Sequence, residues 1–298
     1  MGWLKRLIGG DRQSDDREPT TGTATVADLA RRLNRPAAEL ISFGPRYSEF
    51  SVPKRDGRMR RIAAPDSGTR SLQREIARAV IGGSPAHPAA FGFERGRSTV
   101  GHARLHAGRA VVLRMDIEDF FSSTSAERVR RWFRHMWDAE AAALLTQLTT
   151  HKGALPQGAP TSPKLSNRVN QRLDRRLHGF AHSRGAVYSR YADDITFSLE
   201  TDDARIVHEL IRFTDKVVSQ AGYRLHRKRK LHVRRQHERQ IVGGLVVNDR
   251  PRLPRERRRW LRAVEHRATH GAGSTLTEQQ LAGWRAYRSM VENDGSGE

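Results

Sequence analysis

The segment Tyr191-Ala192-Asp193-Asp194 sets two adjacent carboxylates between β-branched and aromatic neighbours, Val187 and Tyr188 before it and Ile195, Thr196 and Phe197 after it. Residues of that kind favour strands, so residues 187–199 read as strand, tight turn, strand, with the two acids at the tip. No other feature constrains the fold as much, because acidic oxygens gathered in one small volume repel each other unless a cation fills it. Hard divalent ions such as Mg2+ take oxygen ligands. Two such ions need a third carboxylate, and Asp116 is the candidate. It ends the apolar run Ala110-Val111-Val112-Leu113-Arg114-Met115, which reads as a buried strand. An Asp in that position is costly unless it is paired or binds metal. Two strands ending in carboxylates can be neighbours in one sheet although distant in sequence. That arrangement suits two-metal phosphoryl transfer, in which one ion activates a hydroxyl and the other steadies the leaving pyrophosphate. Taken singly, each piece has a plainer reading: Asp-Asp as a solvated turn, and Asp116 as a helix N-cap ahead of Ile117-Glu118-Asp119.

The segment Gly153-Ala154-Leu155-Pro156-Gln157-Gly158-Ala159-Pro160-Thr161-Ser162-Pro163 is rigid, because its prolines and glycines force an irregular backbone. A helix is expected to start near Ser162, with Pro163 at the first helical position and Ser162 as cap. Leu165, Val169 and Leu173 then recur at a spacing of four, as on one helix face. A glycine loop beside a helix N-terminus lets a nucleotide or template base approach closely.

Leu155-Pro156-Gln157-Gly158-Ala159-Pro160-Thr161-Ser162-Pro163, Arg190-Tyr191-Ala192-Asp193-Asp194 and Met115-Asp116-Ile117-Glu118-Asp119-Phe120-Phe121 together resemble the motifs of a reverse transcriptase, and more narrowly of the bacterial retron-type reverse transcriptases. Residues 50–62 resemble the fingers hairpin, with Asp56-Gly57 as its turn. Residues 87–98 resemble the next block, and Gly244-Leu245-Val246-Val247-Asn248 the strand before the thumb. The matches run in family order from about Tyr47 to about Met290. The resemblance implies an α+β right-hand polymerase fold with fingers, a ferredoxin-like antiparallel palm and a small helical thumb. Its divisions would be an N-terminal arm and short helices (1–45), fingers and palm (46–248) and thumb (249–298).

The implied activity is RNA-directed DNA synthesis from dNTP substrates with two Mg2+ ions. Its implied partners are a structured RNA template and primer, an RNA–DNA hybrid and an effector protein, in a setting of anti-phage defence. By resemblance, Asp116 and Asp193 hold both ions and Asp194 completes the cluster. Ile117 stands with the metal shell, and its backbone amide helps at the triphosphate. Arg60 and Lys54 grip the triphosphate, Lys230 lies near the pyrophosphate, and Gln157 and Gly158 floor the nucleotide pocket. Phe121 packs against the sugar and excludes a 2′-hydroxyl by steric conflict, while Phe120 is core. Tyr191 packs under the primer end. Arg97, Arg255, Arg257, Arg258 and Arg259 contact primer and template.

Two motifs depart from the family pattern. Retron enzymes usually carry Asn-Ala-x-x-His where this chain has His102-Ala103-Arg104-Leu105-His106, and Val-Thr-Gly where it has Val242-Gly243-Gly244. These leave the catalytic assignment alone but bear on whether the RNA partner and branched priming are the usual ones. At i and i+4, His102 and His106 suit either a metal on a helix or a packed or RNA-facing pair; no third ligand is apparent, which favours the second.

Charge supports a polyanionic partner independently. The net charge is +21 over 298 residues, and residues 224–262 hold fifteen Lys or Arg against three acids. Such a density predicts strongly salt-dependent binding. The absence of cysteine excludes disulfides and Cys-based zinc sites and fits a reducing cytoplasm. No apolar stretch reaches a membrane span, and the start of the chain, Met1 to Ile8, is too short for a signal-peptide core. Residues 9–22 read as a polar arm. Helices are expected at 25–43 (two, the first with a Thr25/Asp28 capping box), 127–149 and 203–221, with a last strand at 239–247. Two more helices follow Pro254, broken at Gly271-Ala272-Gly273. The alternatives are a group II intron-like or other phage-defence reverse transcriptase, a non-catalytic RNA-binding module on the same fold, or a basic structural protein. The intact acid trio argues against the binding module, since a binder has no need to concentrate acid beside a polyanion.

Overall fold

The computed structural model describes residues 22–53, 57, 59–226, 231–270 and 275–292. In chain order the helices are α1 (Val26–Leu33), α2 (Ala37–Ser42), α3 (Ser67–Ile76), α4 (Thr99–Leu105), α5 (Ala126–Phe133), α6 (Ala139–Thr149), α7 (Ser162–Val169), α8 (Gln171–Ser183), α9 (Ala204–Gln220), α10 (Arg255–Thr269) and α11 (Glu278–Glu292). The strands are β1 (Tyr47–Pro53), β2 (Met59–Pro65), β3 (Val111–Asp116), β4 (Ala186–Tyr191), β5 (Asp194–Leu199), β6 (His232–Arg235), β7 (Ile241–Val242) and β8 (Leu245–Val246). No described helix is long and apolar enough to cross a membrane.

A four-stranded antiparallel sheet in the order β4-β5-β3-β6 organises the molecule. Helices α5 to α8 connect β3 to β4, and α9 connects β5 to β6, so the unit runs β-α-β-β-α-β. Alternation sorts its side chains. Leu113, Met115, Tyr188, Ile195 and Phe197 face α8 and α9, where they meet Leu173, Leu177, Leu210 and Val217 in one buried cluster. Each such side chain contributes roughly 1.5–3 kcal/mol by burial. Val112 faces the other way, into a smaller cluster with Val100, Val242, Leu245 and Val291. A third cluster joins α1, α2, α3, α5 and α6 with Leu155 and Leu165. The helices of residues 22–45 therefore share a core with the segments around β2, and do not stand apart from them.

Local chemistry accounts for most boundaries. The Thr25/Asp28 capping box is formed, with Thr25 N donating to Asp28 at 2.7 Å and Asp28 N to Thr25 Oγ1 at 3.3 Å. Asp203 caps α9. The helix expected at 127–149 is two helices, because Asp138 caps a fresh start and its N–H has turned to Ala24 O at 2.9 Å. Ser162 is not a cap but the first helical residue, and its hydroxyl donates to Pro156 O at 2.7 Å. The continuous face through Leu165, Val169 and Leu173 is interrupted at Asn170, which sends Leu165 and Leu173 into different clusters. The single strand expected at 239–247 is the hairpin β7–β8. Gly243 (φ +58°) and Gly244 (φ +82°) both sit in the left-handed region that a two-residue reversal requires. The expected turn at Asp56 and the helix break at residues 271–273 lie outside the described residues.

Candidate active site

The β4–β5 hairpin closes between Tyr191 and Asp194, which pair in register, leaving Ala192 and Asp193 as the turn. Ala192 has φ +56°, a left-handed conformation that costs an L-residue about 1–2 kcal/mol. A buried prop holds it. Arg190 donates to Ala192 O at 2.9 Å while its guanidinium forms a bidentate pair with Asp174 of α8, at 2.8 and 2.7 Å, with both side chains fully buried. Tyr188 also donates to Asp174, at 2.7 Å. Burial works against the Arg190 charge, but the Asp174 carboxylate outweighs it and holds the guanidinium pKa above its ordinary value.

Across the sheet, Asp116 is paired in register with Asp194. Asp193 O accepts from Ile117 N at 3.0 Å, so the ends of β3 and the hairpin are tied together. The three acids that the sequence singled out are thus brought to one corner. Opposed like charges in a sheet are unfavourable without a cation, and Arg114, on the same face two residues before Asp116, forms an ion pair with Asp194. His226 approaches Asp116 at 3.6 Å and Glu118 at 3.0 Å. Among the described residues no three acidic or histidine side chains converge as metal ligands would. The oxygen donor set and the backbone placement suit a hard divalent cation, whereas the Asp194 carboxylate is turned to Arg114. The Ile117 amide already donates to Asp193, so it is not available to a triphosphate, and any part Ile117 plays in a metal shell falls to its carbonyl.

Asp119 takes φ +45° and redirects the chain after β3. Phe120 is buried, as expected of core, and Phe121 is half-buried between two clusters. The Gln157-Gly158 loop lies on β2. Ala63 N donates to Gln157 O at 2.9 Å, and a Cβ on Gly158 (φ +127°) would stand 3.0 Å from Ala63 O. Only glycine allows that approach, which sets the loop close to the strand bearing the exposed Arg60.

His102 and His106 are packed, not metal-bound or RNA-facing. Both are fully buried, and both rings reach Ser189 Oγ through Nε2 at 2.7 Å; His106 Nδ1 lies 2.8 Å from Ser198 Oγ. His102 Nδ1 has no partner. A stranded lone pair is less costly than a stranded N–H, so His102 carries its proton on Nε2 and donates to Ser189. Ser189 then donates to His106, whose Nδ1–H donates to Ser198. Burial keeps both rings neutral, pushing His102 down to about 3 and His106 well below its ordinary value. The two departures from the family pattern are neighbours here, since a Cβ on Gly243 would lie 3.7 Å from His102 Nδ1.

Residues 52–244 match the family model described as reverse transcriptase (RNA-dependent DNA polymerase). The retron Ec86 reverse transcriptase of Escherichia coli is 30% identical over 251 residues, covering 83% of this chain and 77% of that protein. This chain belongs to the retron-type reverse transcriptase family. Two Myxococcus xanthus relatives, the retron Mx65 and Mx162 reverse transcriptases, are each 36% identical, covering 82% and 83% of this chain. The chain spans 61% and 58% of their respective lengths.

The remaining residues expected from the family resemblance divide into three groups. Arg255, Arg258 and Arg259 are exposed along α10. Arg257 is instead sandwiched over the Trp260 and Trp284 rings at 5.3 and 5.0 Å, so its first role is to join α10 to α11. Arg97 donates to Pro88 O and Ala90 O and covers the Phe91 ring, so its guanidinium is engaged in its own loop. Lys54 and Lys230 lie outside the described residues. Sequence reasoning passed over Arg114, Phe93, His226 and the Asp174–Arg190 prop. Period-two alternation from Asp116 would have found Arg114; nothing local marks the others.

Proposed function

We propose that this chain is an RNA-directed DNA polymerase of retron type, copying a structured non-coding RNA into DNA at Asp116, Asp193 and Asp194. The observation that carries the reading is the register pairing of Asp116 with Asp194, with Asp193 in the adjoining turn. In this reading the β-α-β-β-α-β sheet is a ferredoxin-like palm. The β1–β2 hairpin and its neighbours are fingers within residues 46–248, α10 and α11 are the thumb within 249–298, and α1 and α2 are the two helices of residues 1–45, whose expected arm lies outside the described residues.

Asp116 and Asp193 would hold Mg2+, with Asp194 joining once its carboxylate turns from Arg114. Bound there, the ions would supply charge neutralisation and activation of the primer hydroxyl. The protein's own part is positioning, because phosphoryl transfer leaves it little covalent work. The Arg190 prop fixes the turn that carries Asp193. Arg60 grips the triphosphate from the hairpin, and Gln157 and Gly158 floor the pocket; Lys54 and Lys230, outside the described residues, are assigned to the triphosphate and the pyrophosphate by the family resemblance alone. Phe121 stands where a 2′-hydroxyl would clash, and Tyr191 supports the primer end. Arg255, Arg258 and Arg259 meet the nucleic-acid backbone, which suits a chain of net charge +21. A cytoplasmic setting, anti-phage defence and an effector protein belong to the same reading.

Primer extension on an RNA template with dNTPs and Mg2+ tests the activity; a wild-type chain that incorporates nothing sinks it. Sequencing the nucleic acid that co-purifies with the protein tests the retron product, for which a branched RNA–DNA hybrid is expected.

A further inference from the structure

Phe93 is held in a conformation that an aromatic residue avoids. Its φ is +66°, in the left-handed region, and the residue is 40% exposed. A strained backbone beneath an exposed apolar ring persists only where the surroundings over-determine it, and here they do. Gly92 lies against the catalytic turn so closely that a Cβ there would stand 2.9 Å from Ala192 N. Asn167 of α7 donates to Gly92 O at 2.7 Å and to Glu94 at 2.8 Å, and the nearly buried Arg168 pairs with Glu94. Phe91 N donates to Arg190 O at 2.7 Å. Helix α7 and the edge of β4 therefore clamp both sides of Phe93 and present its ring outward.

The ring points toward the candidate active site. Its centroid lies 6.4 Å from that of Tyr191 and 6.1 Å from that of Phe121. Resting on the polymerase reading of this site, we propose that Phe93 is a substrate-contacting residue, a stacking seat for the nucleobase at the primer end. A nucleobase presents a flat π-face of the kind that an exposed aromatic ring binds regardless of sequence. Phe121 is the aromatic beside the incoming sugar and Tyr191 the one beneath the primer, and Phe93 is the third wall that joins them.

The test uses the full chain, a DNA primer annealed to an RNA template, and four substitutions. Phe93→Ala and Phe93→Gly both remove the ring, and only glycine relieves the left-handed backbone. Both should raise the KM for primer–template about ten-fold, with the smaller change in kcat, and Phe93→Gly should melt above Phe93→Ala. Phe93→Trp and Phe93→Tyr, which keep a stacking face, should restore KM to near wild type. A primer ending in 5-iododeoxyuridine should photocrosslink to the peptide carrying Phe93. Unchanged KM in the two ring-less variants, or Phe93→Trp as poor as Phe93→Ala, overturns the proposal while leaving polymerase activity standing. A wild-type chain that extends no primer overturns the polymerase reading and this proposal with it.

Discussion

Asp174 accepts two hydrogen bonds from Arg190, at 2.8 and 2.7 Å, in a pair from which solvent is fully excluded. Because Arg190 also donates to Ala192 O, a helix in the core governs the shape of the turn that carries Asp193. Removing one partner of such a pair leaves a buried charge uncompensated. Asp174→Ala should destabilise the fold by about 3–5 kcal/mol, read by urea denaturation. The paired replacement Asp174→Leu with Arg190→Met should recover most of that stability without recovering nucleotide incorporation, since the prop on Ala192 is still gone.

Asp193→Asn removes a charge from the turn without changing its size. Incorporation should fall below detection in primer extension, while filter binding to RNA changes less than about three-fold; retained synthesis would remove Asp193 from the chemistry. The contrast with Asp174→Ala is informative, because Asp193 is half-buried and its loss should leave the denaturation midpoint nearly unchanged.

Phe121→Ala should admit ribonucleotides. Opening the clash at the 2′ position should raise their kcat/KM relative to deoxynucleotides on the order of 10–100-fold. Phe121 also packs against two core clusters, so the comparison is made as a ratio between the two substrates on one preparation. An unchanged ratio would reduce Phe121 to packing.

The buried histidines make stability depend on pH in a defined direction. His102 is pushed down to about 3 and His87 to about 4, from an ordinary 6.5, in each case first by burial. The unfolded chain binds protons that the folded chain refuses, so stability is fully present above about pH 6.5 and declines as pH falls toward those lower values. The slope should approach 1.4 kcal/mol per pH unit for each such histidine. Denaturation midpoints measured from pH 7.5 to 4.5 should show it, and His102→Asn should reduce the slope.

Charge reversal at Arg255, Arg258 and Arg259 should weaken RNA binding and flatten its dependence on salt, because each phosphate contact adds about 0.9 to the log–log slope on duplex and about 0.7 on single strands. Arg257 is left in place, since its stacking on two tryptophans makes it structural. An unaltered slope would move the nucleic acid to another face.

The sequence by itself determined the pieces whose rules are local. The apolar run before Asp116 and the β-branched and aromatic residues flanking Asp193 specified strands that end in carboxylates. The Thr25/Asp28 box specified a helix start, and the run of arginines after Pro254 specified a basic face. Only the tertiary structure decided what meets what. Asn170 split one apolar stripe between two cores. Arg114 met Asp194, Asp174 met Arg190, and Phe93 came to rest beside Tyr191 and Phe121. Each of these depends on long-range packing and solvent exclusion, which set the strength of a buried charge pair or a strained backbone and which no short window of residues encodes.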